Sequence, residues 1–228
     1  MKTKIALVTG STRGIGKAIS DTLKKNNWTV IDNSRDTFDI GTVDGRKGLV
    51  NYMYDNFGKL DLLVNNAAYT KFIPHENLDE LTDGVWNQMF NVNLKAPFSL
   101  IRDLQEMLLE SPKPNVINIG SVAGITGNGS NVGYCALKAG IINMTKSLAR
   151  SIKPIRVNCI SPGLIKTDFV KFPDKFYDDT ISKTPVNRIG QPQDIADAVL
   201  SILRMKYMTG ENIVIDGGRT LNWNTFMT

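Results

Sequence analysis

Histidine occurs once in this chain of 228 residues, at His75, and cysteine twice, at Cys135 and Cys159. A single histidine excludes a Ser-His-Asp hydrolase assembled within one chain. Two cysteines make neither a disulfide framework nor a metal-ligand spacing, so no metal site is expected, and Cys135 reads as a small packed side chain. No apolar run approaches the ~20 residues that span a bilayer. The opening Met1-Lys-Thr-Lys-Ile-Ala-Leu-Val-Thr-Gly10 passes directly into strand-like sequence without a small-residue cleavage site, which argues against a secretory signal and for a cytoplasmic location with no membrane partner. The formal charge of +5 is carried by scattered basic residues rather than by clusters with aromatics, an argument against nucleic acid as partner. A phosphate-bearing cofactor or an acidic carrier fits that charge equally well. Repeats and low-complexity segments are absent.

What is present is an alternation of short apolar runs with helical patterns. The runs Lys4–Val8, Trp28–Asn33, Leu60–Val64, Asn115–Gly120, Ile155–Ile160 and Ile213–Asp216 read as strands. Lys17–Lys25, Asp44–Phe57, Asp83–Leu109, the stretch from Val132 to about Ser151, and Gln191–Leu203 read as helices. That order implies an α/β fold, a single doubly wound Rossmann-type domain with a mostly parallel sheet. One domain spans residues 1–228, with a cofactor-binding half at about 1–115 and a catalytic and substrate half at about 116–228. Asp168 to Arg188 mixes charges, aromatics, Pro173 and Pro185, and reads as a lid.

Two stretches carry chemistry. Thr9-Gly10-Ser11-Thr12-Arg13-Gly14-Ile15-Gly16 joins the first strand to the first helix, and its glycines let backbone N–H groups and a helix N-terminus approach a pyrophosphate. Further on, Ser121 ends an apolar run, a glycine-rich loop follows, and Tyr134 and Lys138 stand four apart. That spacing places neighbours on one helix face. Alone, such a pair is more often found on a helix surface; with Ser121 folded back towards it, the trio suits reduction of a carbonyl. An adjacent ammonium is expected to lower the phenol's pKa from its ordinary value of about 10, and the serine hydroxyl would hold the carbonyl oxygen.

On these residues the chain resembles the short-chain dehydrogenase/reductase family, whose catalytic serine and Tyr-x-x-x-Lys pair match Ser121, Tyr134 and Lys138. The likeness covers nearly the whole chain and includes the Thr-Gly-x-x-x-Gly-x-Gly spacing at Gly10, Gly14 and Gly16. It implies an oxidoreductase in which Tyr134 exchanges a proton with the substrate oxygen and Lys138 lowers the pKa of Tyr134 and binds the nicotinamide ribose. Asn93, in Phe90-Asn-Val-Asn93-Leu, matches the fourth catalytic residue, an asparagine that opens the helix ladder and holds a water linking Lys138 to solvent. Asn66, Ala67 and Ala68 correspond to the segment along the cofactor ribose, with Ala68 where glycine is usual; Asn65 braces the sheet. Pro162, Gly163, Ile165 and Thr167 correspond to the segment that holds the nicotinamide carboxamide. At the end of the second strand the aligned position is Ser34, not an acid, and Arg35 follows it. With Arg13, these resemble the basic residues of members that prefer NADP(H), the cofactor expected here. The alternative is two solvated surface arginines.

Beyond Arg35 the chain departs from the family. Phe38-Asp39-Ile40 resembles the third strand with its adenine-contacting Asp39 and hydrophobic Ile40, but only Asp36 and Thr37 intervene. A parallel crossover needs about a dozen residues or more. The connection is therefore compressed, or the third strand is displaced or lost. Ile119-Gly-Ser121-Val, Gly127-Asn-Gly129, Lys146-Ser-Leu-Ala-Arg150 and Thr209-Gly210-Glu211 are similar to bacterial 3-oxoacyl-carrier-protein reductases. The shortened segments after Arg35 and at Arg204–Thr209 favour instead a specialised ketoreductase of a small-molecule or secondary-metabolite pathway. Either acts on a small carbonyl or alcohol, free or thioester-bound. A non-catalytic NADP-binding sensor is a reading of another class, opposed by the presence of Tyr134 and Lys138. The resemblance further implies a homotetramer packed through the Asn93 and Tyr134 helices, and the apolar tail (Leu221, Trp223, Phe226, Met227) suggests docking on the domain or on a neighbouring subunit.

Overall fold

A computed structural model describes residues 3–169 and 173–221. Trp223, Phe226 and Met227, on which tail docking was expected, lie outside the described residues. The strands are β1 (Lys4–Thr9), β2 (Trp28–Asn33), β3 (Leu62–Asn65), β4 (Asn115–Ile119), β5 (Arg156–Pro162) and β6 (Asn212–Ile215). They form one parallel sheet in the order β2-β1-β3-β4-β5-β6. The inner strands β3 and β4 are buried on both faces, which is why they read as unbroken apolar runs. Edge strand β2 alternates partly between buried and open positions.

The helices are α1 (Gly14–Lys25), α2 (Val43–Asn56), α3 (Asp83–Phe90), α4 (Ala96–Asp103), α5 (Gln105–Leu109), α6 (Ala123–Thr126), α7 (Val132–Ser151), α8 (Asp174–Ser182) and α9 (Pro192–Arg204). Ile19 and Leu23 of α1 pack with Ile195, Val199 and Ile202 of α9 over one sheet face. Leu49 and Met53 of α2 join Leu100 and Ile101 of α4 over the other. The single helix expected over Asp83–Leu109 is interrupted by a π turn at Asn91–Lys95 and again at Leu104. Among the described residues no helix is long and apolar enough to cross a membrane.

The third strand is lost rather than displaced. Phe38-Asp39-Ile40 pairs with no strand, and β2 forms the sheet edge. Asn33 closes the connection: its buried amide donates to Ser34 O, Thr37 Oγ1 and Phe38 O. Arg46 of α2 then donates from Nη1 to Ile40 O at 2.7 Å. With its carbonyls taken by side chains, the segment has no free edge to offer a neighbour.

Across the centre of the sheet runs a buried polar chain. Asn65 Nδ2 donates to Asn118 Oδ1 at 2.9 Å, and Asn118 Nδ2 donates to Thr145 Oγ1 of α7 at 2.9 Å. It ties β3, β4 and α7 at the level where the site begins. Asn118→Ala leaves the Asn65 amide unsatisfied and should lower unfolding free energy by about 2–3 kcal/mol. Urea denaturation checks this; a loss under about 0.5 kcal/mol, the range of ordinary surface changes, would contradict the bracing role.

Candidate active site

One open cleft of about 2010 Å³ runs along the carboxyl ends of the strands. This is where ligands bind in open α/β sheets. At its centre β1 has β2 on one side and β3 on the other, so the chain direction diverges there.

The first wall is the glycine loop. A Cβ at Gly16 would stand 2.2 Å from Gly10 O and 2.4 Å from Asn66 Nδ2, so only glycine lets α1 start this close to the end of β1. Thr42, Thr82 and Asn131 cap α2, α3 and α7 with side-chain acceptors, whereas α1 has no side-chain cap and no acid in its first turn. Its first N–H groups are thus left for an anion from the cleft. Thr12, Arg13, Gly14 and Ile15 line the cleft here. Ser11 has a different role: it is buried, and its N–H and hydroxyl both bond Asn33 O, tying the loop to β2. This cradle, at one wall of the cleft, fits the pyrophosphate of a dinucleotide.

The second wall follows β3. Thr9 Oγ1 accepts from the N–H groups of Asn66 and Ala67, and Asn66 Nδ2 donates to Thr9 O and Gly10 O. Asn66 therefore holds the loop with its side chain, and Ala67 and Ala68 border the cleft beside it. Asn65 braces the sheet as expected.

At the end of β2, Ser34, Arg35 and Asp39 reach the cleft. Asp39 is not a strand residue: its Oδ1 accepts from Gly41 N at 2.9 Å, and its Oδ2 lies 3.3 Å from Arg35 Nε. Ile40 touches the cleft but packs in the core with Leu49 and Leu100. The expected adenine pair is therefore rearranged, a consequence of the lost strand.

Deeper in lies the trio. Ser121 follows β4; its Oγ accepts from Ala123 N at 3.1 Å, and it lines the cleft together with Tyr134. Asn131, buried at the start of α7, fixes where Tyr134 begins its turn. Its Oδ1 accepts from Tyr134 N at 2.7 Å, and its Nδ2 donates to Lys71 O at 2.7 Å. Sequence reasoning missed this residue, although an asparagine just before an apolar helix is an N-cap signal. Lys138 is buried and donates from Nζ to Ile119 O at 2.7 Å.

The electrostatics reverse the expected direction for Tyr134. Its phenol is pushed up to about 12 by burial, against the neighbouring Ser121 hydroxyl, which pulls it down. Lys138 Nζ stands over the tyrosine ring, 5.7 Å from the centroid, and burial lowers its pKa to about 8. The one-turn spacing brings the two side chains together but puts the ammonium against the ring face and the Ile119 carbonyl. A neutral phenol is a proton donor rather than an acceptor.

Asn93 sits in the π turn, buried. Its amide donates to Tyr69 O at 2.8 Å and accepts from Tyr69 N at 2.9 Å, so it anchors the loop after β3. On the opposite side, Pro162, Gly163, Ile165 and Thr167 line the cleft after β5, held by Lys166 N donating to Gly190 O. Beyond them Lys175, Phe176 and Asp179 of α8 border the cleft, within the segment expected as a lid.

The two groups have opposite effects on stability. Lys138 titrates at about 8 folded against 10.5 ordinarily, so the unfolded chain binds its proton more tightly and stability rises with pH across that window. Tyr134, at about 12 against 10, keeps its proton longer when folded, so stability falls above pH 10. Lys138→Met should abolish the rise between pH 8 and 10.5 in urea unfolding, and an unchanged slope would contradict the burial argument.

Residues 32–220 match the family model described as enoyl-(acyl carrier protein) reductase. The 3-oxoacyl-acyl-carrier-protein reductase of Escherichia coli is 35% identical over 238 residues, covering 94% of this chain and 96% of its own. A protein of Streptomyces violaceoruber assigned as ketoacyl reductase 2 of the granaticin polyketide synthase is 32% identical over 240 residues, covering 95% and 96%. Among solved structures, 4-hydroxyisoleucine dehydrogenase complexed with NADH superposes with a TM-score of 0.89 at 26% identity, covering 96% of this chain and 100% of that one. The RhlG/NADP active-site complex of Pseudomonas aeruginosa gives 0.86 at 29%, covering 95% and 96%. With the glycine cradle, the Ser121, Tyr134 and Lys138 cluster and these likenesses together, the chain belongs to the short-chain dehydrogenase/reductase family of nicotinamide-dependent oxidoreductases and resembles its 3-oxoacyl-acyl-carrier-protein reductases.

Proposed function

We propose that this protein is an NADP(H)-dependent ketoreductase, interconverting a carbonyl and a secondary alcohol in a specialised small-molecule or secondary-metabolite pathway of the cytoplasm. The observation that carries the reading is the convergence of Ser121, Tyr134 and Lys138 in the cleft that the glycine loop and the Pro162–Thr167 segment also line. The N–H groups at the start of α1 would hold the pyrophosphate. Lys138, Tyr134 and the Asn66–Ala68 strip would hold the ribose, and Ile165 and Thr167 the carboxamide. Arg13 and Arg35, both on the cleft, with Ser34 rather than an acid beside them, support a 2′-phosphate at the end of β2.

When bound, the nicotinamide supplies a hydride to the carbonyl carbon or accepts one from the alcohol. The chain's own groups manage the oxygen. Ser121 Oγ, lining the cleft with the phenol, would hold the carbonyl oxygen, and Tyr134 releases its proton to that oxygen as charge develops. The buried Lys138 ammonium stabilises the phenolate left behind. Asn93, at the ladder opening, keeps a solvent path by which Lys138 restores the proton.

The likeness to a polyketide ketoacyl reductase and the rebuilt β2–α2 connection support the specialised role. A second reading, 3-oxoacyl-acyl-carrier-protein reduction in fatty acid synthesis, draws on bacterial relatives similar over 94% of the chain. The partly exposed Trp86, Phe90 and Phe98 along α3 and α4 support assembly into a homotetramer through these helices.

The test is NADPH consumption with a short 3-oxoacyl thioester. Tyr134→Phe should lower turnover by at least about a hundredfold while NADPH affinity stays within about threefold. Turnover retained in that variant would remove the proton-donor role, and no consumption by the parent protein would move the search to small ketones and sugars.

A further inference from the structure

The connection that replaces the third strand brings an acid to the end of β2. Arg35 and Asp39 stand four apart on one turn, with Nε and Oδ2 separated by 3.3 Å, and both border the cleft together with Arg13. The two partners are held very differently. Asp39 is fixed: Gly41 N donates to its Oδ1, Thr42 Oγ1 donates to its carbonyl, and a Cβ on Gly45 of α2 would stand 2.0 Å from that carbonyl oxygen. The Arg35 side chain is 77% exposed, with the carboxylate as its ion-pair partner.

A phosphate docking on Arg35 therefore meets a carboxylate held in place by Gly41 N. An exposed ion pair adds little to folding stability. Its effect on a phosphate sharing the same guanidinium is larger, because the fixed charge first competes for the arginine and then repels the dianion across a few ångströms.

We propose that Asp39 is a specificity-determining residue that holds the preference for a 2′-phosphate below what Arg13 and Arg35 alone would give. This rests on the reading that Arg13 and Arg35 receive that phosphate. The substitution Asp39→Asn keeps the Oδ1 acceptor for Gly41 N, puts an amide NH2 where Oδ2 faced Arg35 Nε, and so removes the charge and the ion pair together. Asp36, the neighbouring acid on the cleft rim, is the control for charge without the contact.

The experiment measures dissociation constants of NADPH and NADH by ligand fluorescence for the parent protein and for Asp39→Asn, Asp36→Asn, Arg35→Ala and the double variant Arg35→Ala with Asp39→Asn. Asp39→Asn should tighten NADPH by about three- to tenfold, with NADH changed by less than about twofold and Asp36→Asn having the smaller effect on NADPH. The gain should shrink at high salt and should largely vanish in the Arg35→Ala background. Unchanged or weaker NADPH binding in Asp39→Asn, or an equal gain for NADH, would overturn the proposal. If Arg35→Ala weakens NADPH selectively while Asp39→Asn does not tighten it, the cofactor reading stands and this inference alone falls. If Arg35→Ala affects both cofactors alike, the 2′-phosphate reading fails and takes this inference with it.

Discussion

A buried ammonium held against the last carbonyl of a strand sets the geometry on which the site depends. Burying a charge without a partner is prohibitive, so Lys138 must keep its 2.7 Å bond to Ile119 O, and that bond locks α7 to the end of β4. Ser121 is two residues beyond the carbonyl and Tyr134 one turn before the lysine, so one contact fixes both. Gly124 completes the fit, since a Cβ there would stand 2.4 Å from the Lys138 carbonyl carbon. The polar chain from Asn65 through Asn118 to Thr145 repeats the tie at a lower level of the sheet.

Much of this was readable before any coordinates. The helix α7 runs over Val132–Ser151 as its pattern indicates, and the strands buried on both faces announce themselves as apolar runs. The glycine loop is recognisable because its spacing serves a single geometry, the close start of α1 above Gly10. Local pattern did not decide the direction of the Tyr134 shift: a spacing of four fixes which helix face two residues share, not which atom of the ring the ammonium meets. Asn93 was placed correctly in an opened helix turn, yet its amide partner, Tyr69, lies 24 residues away and has no sequence signature. Ser11 reads as a cofactor contact because it is a hydroxyl in the loop, and in the structure that hydroxyl bonds Asn33 O and does not line the cleft.

The connection after β2 is the clearest case of pattern undone by context. Phe38-Asp39-Ile40 alternates as a strand does, but three residues of alternation cannot outweigh an asparagine, Asn33, whose amide claims three acceptors in the same segment. The result divides the molecule. Ser121, Tyr134 and Lys138 share one cleft, and the end of β2 is rebuilt around a turn that exposes Arg35 and pairs it with Asp39. The end of β2 can thus change without disturbing Ser121, Tyr134 and Lys138, because the polar ties that hold them involve β3, β4 and α7 and leave β2 aside.

The central claim is that this cleft transfers a hydride to a carbonyl carbon while Tyr134 protonates its oxygen. The most direct measurement follows the hydride: NADPH deuterated on one face of its nicotinamide C4, and then on the other, is turned over with a short 3-oxoacyl thioester and the product alcohol is examined by mass spectrometry and NMR. The account predicts that one of the two labels appears on the carbinol carbon and the other stays on the oxidised cofactor. Alcohol formed without deuterium from either label would contradict it.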